Sequence, residues 1–128
     1  VNTSNHKIYV LGNKLLLDII ENILLNAIQH NNNSNIRIAI YISEIQEERK
    51  SYIKIEFKDN GIGISDYRKK TIFQNGTKKN NKSKGLGVGL SLVKKIVKNF
   101  QGDIKVEDRI KGDYKQGCNF VLLLQKAE

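Results

Sequence analysis

Two runs of alternating residues, "IRIAIYISEI" and "YIKIEFKDNG", stand with only the short "QEERKS" between them. In the first, Ile36, Ile38, Ile40 and Ile42 alternate with Arg37, Ala39, Tyr41 and Ser43; in the second, Ile53, Ile55 and Phe57 take every other place. Successive side chains of a strand point to opposite faces, so each run builds one apolar face and one wet face. Two such strands joined by so short a turn pair antiparallel. A chain holding this hairpin must cover its apolar face, and helices are the available cover.

The flanking segments supply it. Leu15 to about His30 is strongly apolar and reads as a helix, with Asn13 placed to cap its start and "HKIYV" before it as a short strand. A short helix is expected near Tyr67 to Phe73. From Leu90 to Phe100, Leu92, Val93, Ile96, Val97 and Phe100 share one helical face, with Lys94, Lys95 and Lys98 turned outward. "GDIKVEDR" and "GCNFVLLLQ" close the chain as two strands around a turn near Lys111 to Gln116. The expected architecture is an α+β two-layer sandwich forming one domain over residues 1–128. Its mixed, mainly antiparallel sheet is covered on one face by about three helices.

Composition narrows the function classes. A hydrophobic fraction of 39% and a charged fraction of 27% describe a soluble globular domain, and no apolar run is long enough to span a bilayer. The single Cys118 excludes an internal disulfide framework and points to a reducing, cytoplasmic setting and a buried, inert thiol. The chain opens on Val1 and contains no Met, as expected of a piece of a longer protein. A formal charge of +9 raises nucleic acid as a partner. However, the excess is Lys spread over the whole chain, Arg37, Arg49, Arg68 and Arg109 do not cluster, and no aromatics interleave the basic stretch. Nucleic-acid binding is not expected.

Three polar features exceed what a core requires. Asp18, Asn22, Asn26 and His30 recur at every fourth position and share one face of an apolar helix. One such Asn would be a solvent-facing residue; four polar groups in register suggest the wall of a cavity, where an Asn oxygen can ligate a hard cation such as Mg²⁺. The second feature is "DNGIGI", Asp59 to Ile64, directly after a strand. Asp-Asn-Gly alone is turn chemistry. With Gly63 following and Ile62 and Ile64 flanking it, the carboxylate can accept from an exocyclic amine while the glycines admit a flat base.

The third is "GLGVGL", Gly85 to Leu90, ahead of the last helix. It is not a dinucleotide fingerprint, since position 90 is Leu and a charged loop, rather than a strand, precedes it. It lacks the Gly-Lys-Ser/Thr ending of a P-loop. What remains is a glycine-rich entry to a helix N-terminus, where free N–H groups favour an anion such as phosphate. Lys78, Lys79, Lys82 and Lys84 stand just upstream, on a polar loop able to fold over such a ligand.

In this order, Asn22-x-x-x-Asn26-Ala27, Asp59-x-Gly61-x-Gly63 and Gly85-x-Gly87-x-Gly89-Leu90 resemble the asparagine box and the two glycine boxes of sensor histidine kinases. Ile72-Phe73 is similar to the family's phenylalanine box, and Gly117-Cys118-Asn119-Phe120 to its last strand, Gly-Thr-x-Phe. The likeness covers essentially the whole chain and implies the catalytic ATP-binding domain, of the Bergerat (GHKL) fold. It implies that Asn26 holds Mg²⁺ on the triphosphate, that Asn22 lies near the phosphates as a catalytic residue, and that His30 lies near the sugar or base. Asp59 would bind the adenine amine, with Gly61, Ile62, Gly63, Ile64, Phe73 and Cys118 around the base. Residues 74–85 would form a lid that carries Lys78 or Lys79 to the β/γ-phosphates. Gly85, Leu86, Gly87, Val88, Gly89 and Leu90 would present the phosphate-binding backbone.

Departures refine the reading. Gln29 stands where many such kinases have a phosphate-touching Lys, and Cys118 where Thr or Ser is usual. Related hydrolases activate water with a Glu four residues before the Mg²⁺ Asn. Here that position is Asn22, and Glu21 lies about 100° around the helix. The pocket therefore suits transfer to an external nucleophile, with little turnover by the domain alone. Neither His6, followed by Lys7, nor His30, followed by Asn31, resembles the phosphoacceptor His with its adjacent acid. The implied partners are an upstream dimerisation and phosphoacceptor domain and a downstream response regulator. The parent would be a homodimer, with membrane anchoring left open by this piece, and this piece a monomer. Two alternatives remain open: an anti-sigma-factor-type Ser/Thr kinase of the same fold, and a non-catalytic nucleotide-sensing or nucleic-acid-binding module.

Overall fold

A computed structural model describes residues 14–74 and 86–126, apart from the side chains of Leu15, Leu86 and Val88. The expected strand at "HKIYV", the Asn13 cap, His6, Lys78, Lys79, Gly85 and most of the implied lid lie outside the described residues.

In chain order the elements are α1 (Lys14–Gln29), β1 (Ile38–Glu47), β2 (Lys50–Asp59), α2 (Asp66–Thr71), α3 (Leu86–Asn99), β3 (Asp103–Ile110) and β4 (Asp113–Gln125). The four strands form one sheet in the order β1-β2-β4-β3, and every described pairing is antiparallel. Placing β4 beside β2 brings the chain's last strand against its central hairpin. It also sets Cys118 and Phe120 next to Asp59 and Phe57.

The alternation assigns the faces. Ile40, Phe57, Phe120 and Val106 align across the sheet, as do Ile42, Ile55, Leu122 and Ile104. This inner face packs on Ile19 and Ile23 of α1 and on Leu90, Val93 and Val97 of α3. Each large side chain buried there contributes about 1.5–3 kcal/mol. The expected two-layer α+β sandwich is thus the observed one.

Five local details differ from the sequence reading. The periodicity places Leu92 in the buried stripe, yet it is 54% exposed, and Leu90 and Ser91 are buried beside Val93 instead. Lys94 does not turn outward: its ammonium donates to the Ile104 carbonyl (3.1 Å) and lies 5.0 Å from the Phe73 ring centre. As an edge strand, β1 has no neighbour beyond β2 in the described sheet, and its Ile42 is exposed. The β1–β2 loop contains only Glu48 and Arg49, both at positive φ (49° and 69°). Such two-residue loops require that conformation, which Asn-Gly normally supplies, so the pairing of the strands imposes it here. At the other hairpin the turn tightens to Lys111-Gly112, with β4 beginning at Asp113.

Candidate functional site

Asp59 ends β2 on the inner face and is 4% exposed. Its Oδ1 accepts from the backbone N–H of Gly61 (2.9 Å) and of Cys118 (3.1 Å). Among the described residues Oδ2 has no such partner, which leaves it for an outside donor. Burial pushes the carboxyl above the usual range, against the opposing pull of the two N–H bonds and of the Arg109 and His30 charges. The Cys118 thiol is buried, and desolvation, helped by the Asp59 charge, raises it to about 12. That makes it the inert thiol expected from sequence.

Glycine is required around Asp59 because backbone meets backbone. A Cβ on Gly63, at φ +81°, or on Gly117, at φ +111°, would fall inside the Tyr114 and Asp59 carbonyls respectively. On Gly61 it would come within 2.5 Å of the His30 carbonyl. That carbonyl also accepts from Ile62 N–H (3.1 Å), which ties the loop to the end of α1. Ile62 is exposed, whereas Ile64 packs against the core.

One helical turn before His30, Asn26 is only 7% exposed, and its side-chain amide makes no hydrogen bond among the described residues. A nearly buried amide without a protein partner is costly unless a ligand or water completes it. The rest of the polar stripe divides: Asp18, Asn22 and His30 are exposed, and Asn22 Nδ2 donates to the Asp18 carbonyl (3.1 Å). Loss of solvent around the His30 ring, then Arg68, holds its pKa below the usual range, so the imidazole is neutral at neutral pH.

Sequence reasoning missed the residue that organises the loop. Asn60 Oδ1 accepts from Asn31 Nδ2 (2.7 Å) and Arg37 N–H (3.0 Å), and its Nδ2 donates to the Asn35 carbonyl (3.1 Å). Asn33 Nδ2 in turn donates to the Asn60 carbonyl (2.5 Å). The "NNNSN" segment, Asn31 to Asn35, is a clamp on the Asp59–Gly61 turn. Its signal was the run of side chains that can donate and accept at once.

After this loop, Ser65 caps α2 by accepting from Arg68 N–H (3.3 Å). Lys69 then anchors the helix to the sheet: it pairs with Asp108 (2.6 Å) and Asp66 (3.0 Å) and donates to the Ile64 carbonyl (2.7 Å). The side chains of Lys69 and Asp108 are both 16% exposed. Lys69→Met should therefore lower stability by about 2 kcal/mol in urea denaturation, because it leaves Asp108 unpaired. Beyond α2, Phe73 packs edge-on to Phe120, their centres 6.4 Å apart, so at least part of its role is core packing.

Helix α3 begins at Leu86, four residues before the apolar periodicity suggests. The first four N–H groups of a helix lack internal acceptors, which here means residues 86–89. The Leu90 side chain is buried against the core. Gly89 differs from the glycines near Asp59, since among the described residues a Cβ there would meet nothing within 4 Å. No packing requirement explains it.

A family model described as "Histidine kinase-, DNA gyrase B-, and HSP90-like ATPase" matches residues 12–128. Sensor histidine kinase YvrG of Bacillus subtilis is 30% identical over 112 residues, 85% of this chain and 18% of that protein. Cyanobacterial phytochrome B of Nostoc is 34% identical over 112 residues, 84% of this chain and 14% of that protein. The chain thus spans less than a fifth of either relative. Among solved structures, mycobacterial sensor histidine kinase MprB superposes with TM-score 0.75 at 21% identity, covering 91% of this chain and 74% of that one. The catalytic domain of histidine kinase ThkA, nucleotide-free, gives 0.68 at 24%, covering 87% and 66%. At such identities these two establish a shared fold.

Proposed function

The chain belongs to the histidine kinase-, DNA gyrase B- and HSP90-like ATPase family, and from that premise we propose that it is the Mg·ATP-binding catalytic domain of a two-component sensor histidine kinase. The observation that carries this reading is the buried Asp59 carboxylate, held through Oδ1 with Oδ2 left for a ligand donor. An adenine amine offers that donor; a guanine carbonyl at the same place would face the carboxylate as a second acceptor. The Asn26 oxygen would take one position on Mg²⁺, a donor that fits an ion keeping most of its waters. When bound, Mg²⁺ supplies neutralisation of phosphate charge. The N–H groups of residues 86–89 and the positive end of α3 receive phosphate oxygens. Asn22 and His30 line the approach, and the family resemblance assigns Lys78 or Lys79, which lie outside the described residues, to the terminal phosphates.

In the proposed reaction a histidine nitrogen on a separate dimerisation domain attacks the γ-phosphorus. An N–P bond forms while the bond to the bridging oxygen breaks, and ADP leaves. This chain positions the nucleotide and stabilises charge, which is most of what phosphoryl transfer demands. Carboxylates placed to activate water are missing from the Asn22 position, so the domain alone turns over little ATP. The phosphoryl group then passes to a response regulator.

Calorimetric titration with Mg²⁺ and nonhydrolysable ATP and GTP analogues tests the site. The adenine nucleotide should bind with a dissociation constant of about 1 μM to 1 mM, and the guanine nucleotide at least about 100-fold more weakly. Affinity should fall as pH is lowered through the raised Asp59 pKa, above the usual carboxylate range, because binding needs the ionised form. Equal affinity for the two bases, or none for either, would contradict the assignment.

A further inference from the structure

On the sheet's outer face, opposite the helices, Arg37, Ala39, Tyr41, Lys58, Asn60 and Arg109 line an open pocket of about 360 Å³. The register explains the gathering. Ala39 and Lys58 are paired neighbours on the outward face, Arg37 and Tyr41 flank Ala39 on the same side, and Asn60 follows Lys58. Arg109 arrives from the opposite edge strand by crossing Gly117, where a Cβ would lie 3.1 Å from the Arg109 Nε. Two arginines that look unrelated in sequence therefore converge.

We propose that this pocket is a second ligand site, for a compact oxyanion carrying at least two negative charges. Three cations line it, and no carboxylate does. Among the described residues none of the three pairs with an acidic side chain. The carboxylates nearby on the same face are engaged elsewhere: Glu56 accepts from Asn119 Nδ2 (2.9 Å), and Glu107 pairs with Lys105 (3.3 Å). Arg109 Nε donates to the Gln116 carbonyl (2.6 Å), which fixes the guanidinium and leaves its terminal nitrogens for an outside acceptor. Lys58 sits 5.1 Å from the Tyr41 ring centre, a contact that holds the ammonium at the wall. Mutual repulsion of three unpaired cations is relieved by an oxyanion, and guanidinium forks suit phosphate or carboxylate oxygens. The pocket backs directly onto the Asp59 loop, and the Arg109 charge is felt by Asp59, but the pocket opens on the other face, so the proposal does not rest on the nucleotide reading.

Two-dimensional ¹⁵N NMR of the chain tests this, with sodium pyrophosphate and citrate as separate titrants at constant ionic strength and without Mg²⁺. At least one titrant should produce saturable shifts at the amides of Ala39, Tyr41, Lys58 and Arg109, with a dissociation constant near or below about 1 mM. Lys58→Gln/Arg109→Gln should weaken this at least about fivefold. Arg37→Gln/Lys58→Gln, which spares the Arg109–Gln116 bond, should do the same and serves if the first variant is not folded. Shifts that never saturate and are matched by NaCl, shifts confined to Asp59 and residues 87–89, or binding unchanged in the variants would overturn the proposal.

Discussion

Asp59→Asn should abolish measurable ATP binding, a loss of at least about 100-fold, while the thermal midpoint of the ligand-free chain stays level or rises. Asparagine keeps an oxygen to accept from Gly61 and Cys118, so the turn survives. It replaces the free oxygen with an NH₂ donor that faces the adenine amine donor to donor. The stability effect has the opposite sign. A carboxyl whose folded pKa is raised penalises the fold at pH values above that pKa, and the penalty is relieved as pH falls through it. The neutral amide removes the penalty at pH 7. Calorimetry and thermal melts on the same sample separate the two effects; concurrent loss of both would assign Asp59 a purely structural role.

The largest stability loss belongs to Gly63→Ala. The substitution asks a residue with a side chain to hold φ +81° and puts its Cβ inside the Tyr114 carbonyl, so the loop must move away from β4. Backbone strain and overpacking together should cost about 3 kcal/mol or more, read from urea denaturation. Gly89→Ala is the informative contrast. In the first turn of α3, with open space around the new methyl, it should raise stability by roughly 0.5–1 kcal/mol. If phosphate oxygens approach there, the same substitution weakens nucleotide binding. A glycine kept for packing and a glycine kept for a ligand would thus separate by the sign of one measurement.

How far the sequence foretold this molecule varied with the range of the forces involved. The central hairpin, α1 and α2 follow from patterns only a few residues wide, and the structure matches them closely. Asn26 and Asp59 were singled out because a polar stripe on an apolar helix and a doubled glycine after a turn stand out, and both side chains are buried. Leu92 was misplaced because several faces of α3 are apolar, and only the position of the sheet decides which is covered. The Glu48-Arg49 turn was invisible because strand pairing overrides local preference there. The Asn60 clamp and the Arg37–Arg109 convergence depend on strand order, which brings together residues more than twenty and more than seventy positions apart.

Phosphotransfer tests the central claim most directly. The chain is mixed with Mg²⁺, ATP labelled at the γ-phosphate and the dimerisation domain of its own parent protein, and the labelled product is tested for acid and base stability. Label on that domain that is lost in acid and kept in base, the behaviour of phosphohistidine, is the predicted result, and it should vanish with Asp59→Asn. Transfer to serine or threonine instead, or no transfer by a chain shown to bind ATP, would contradict it.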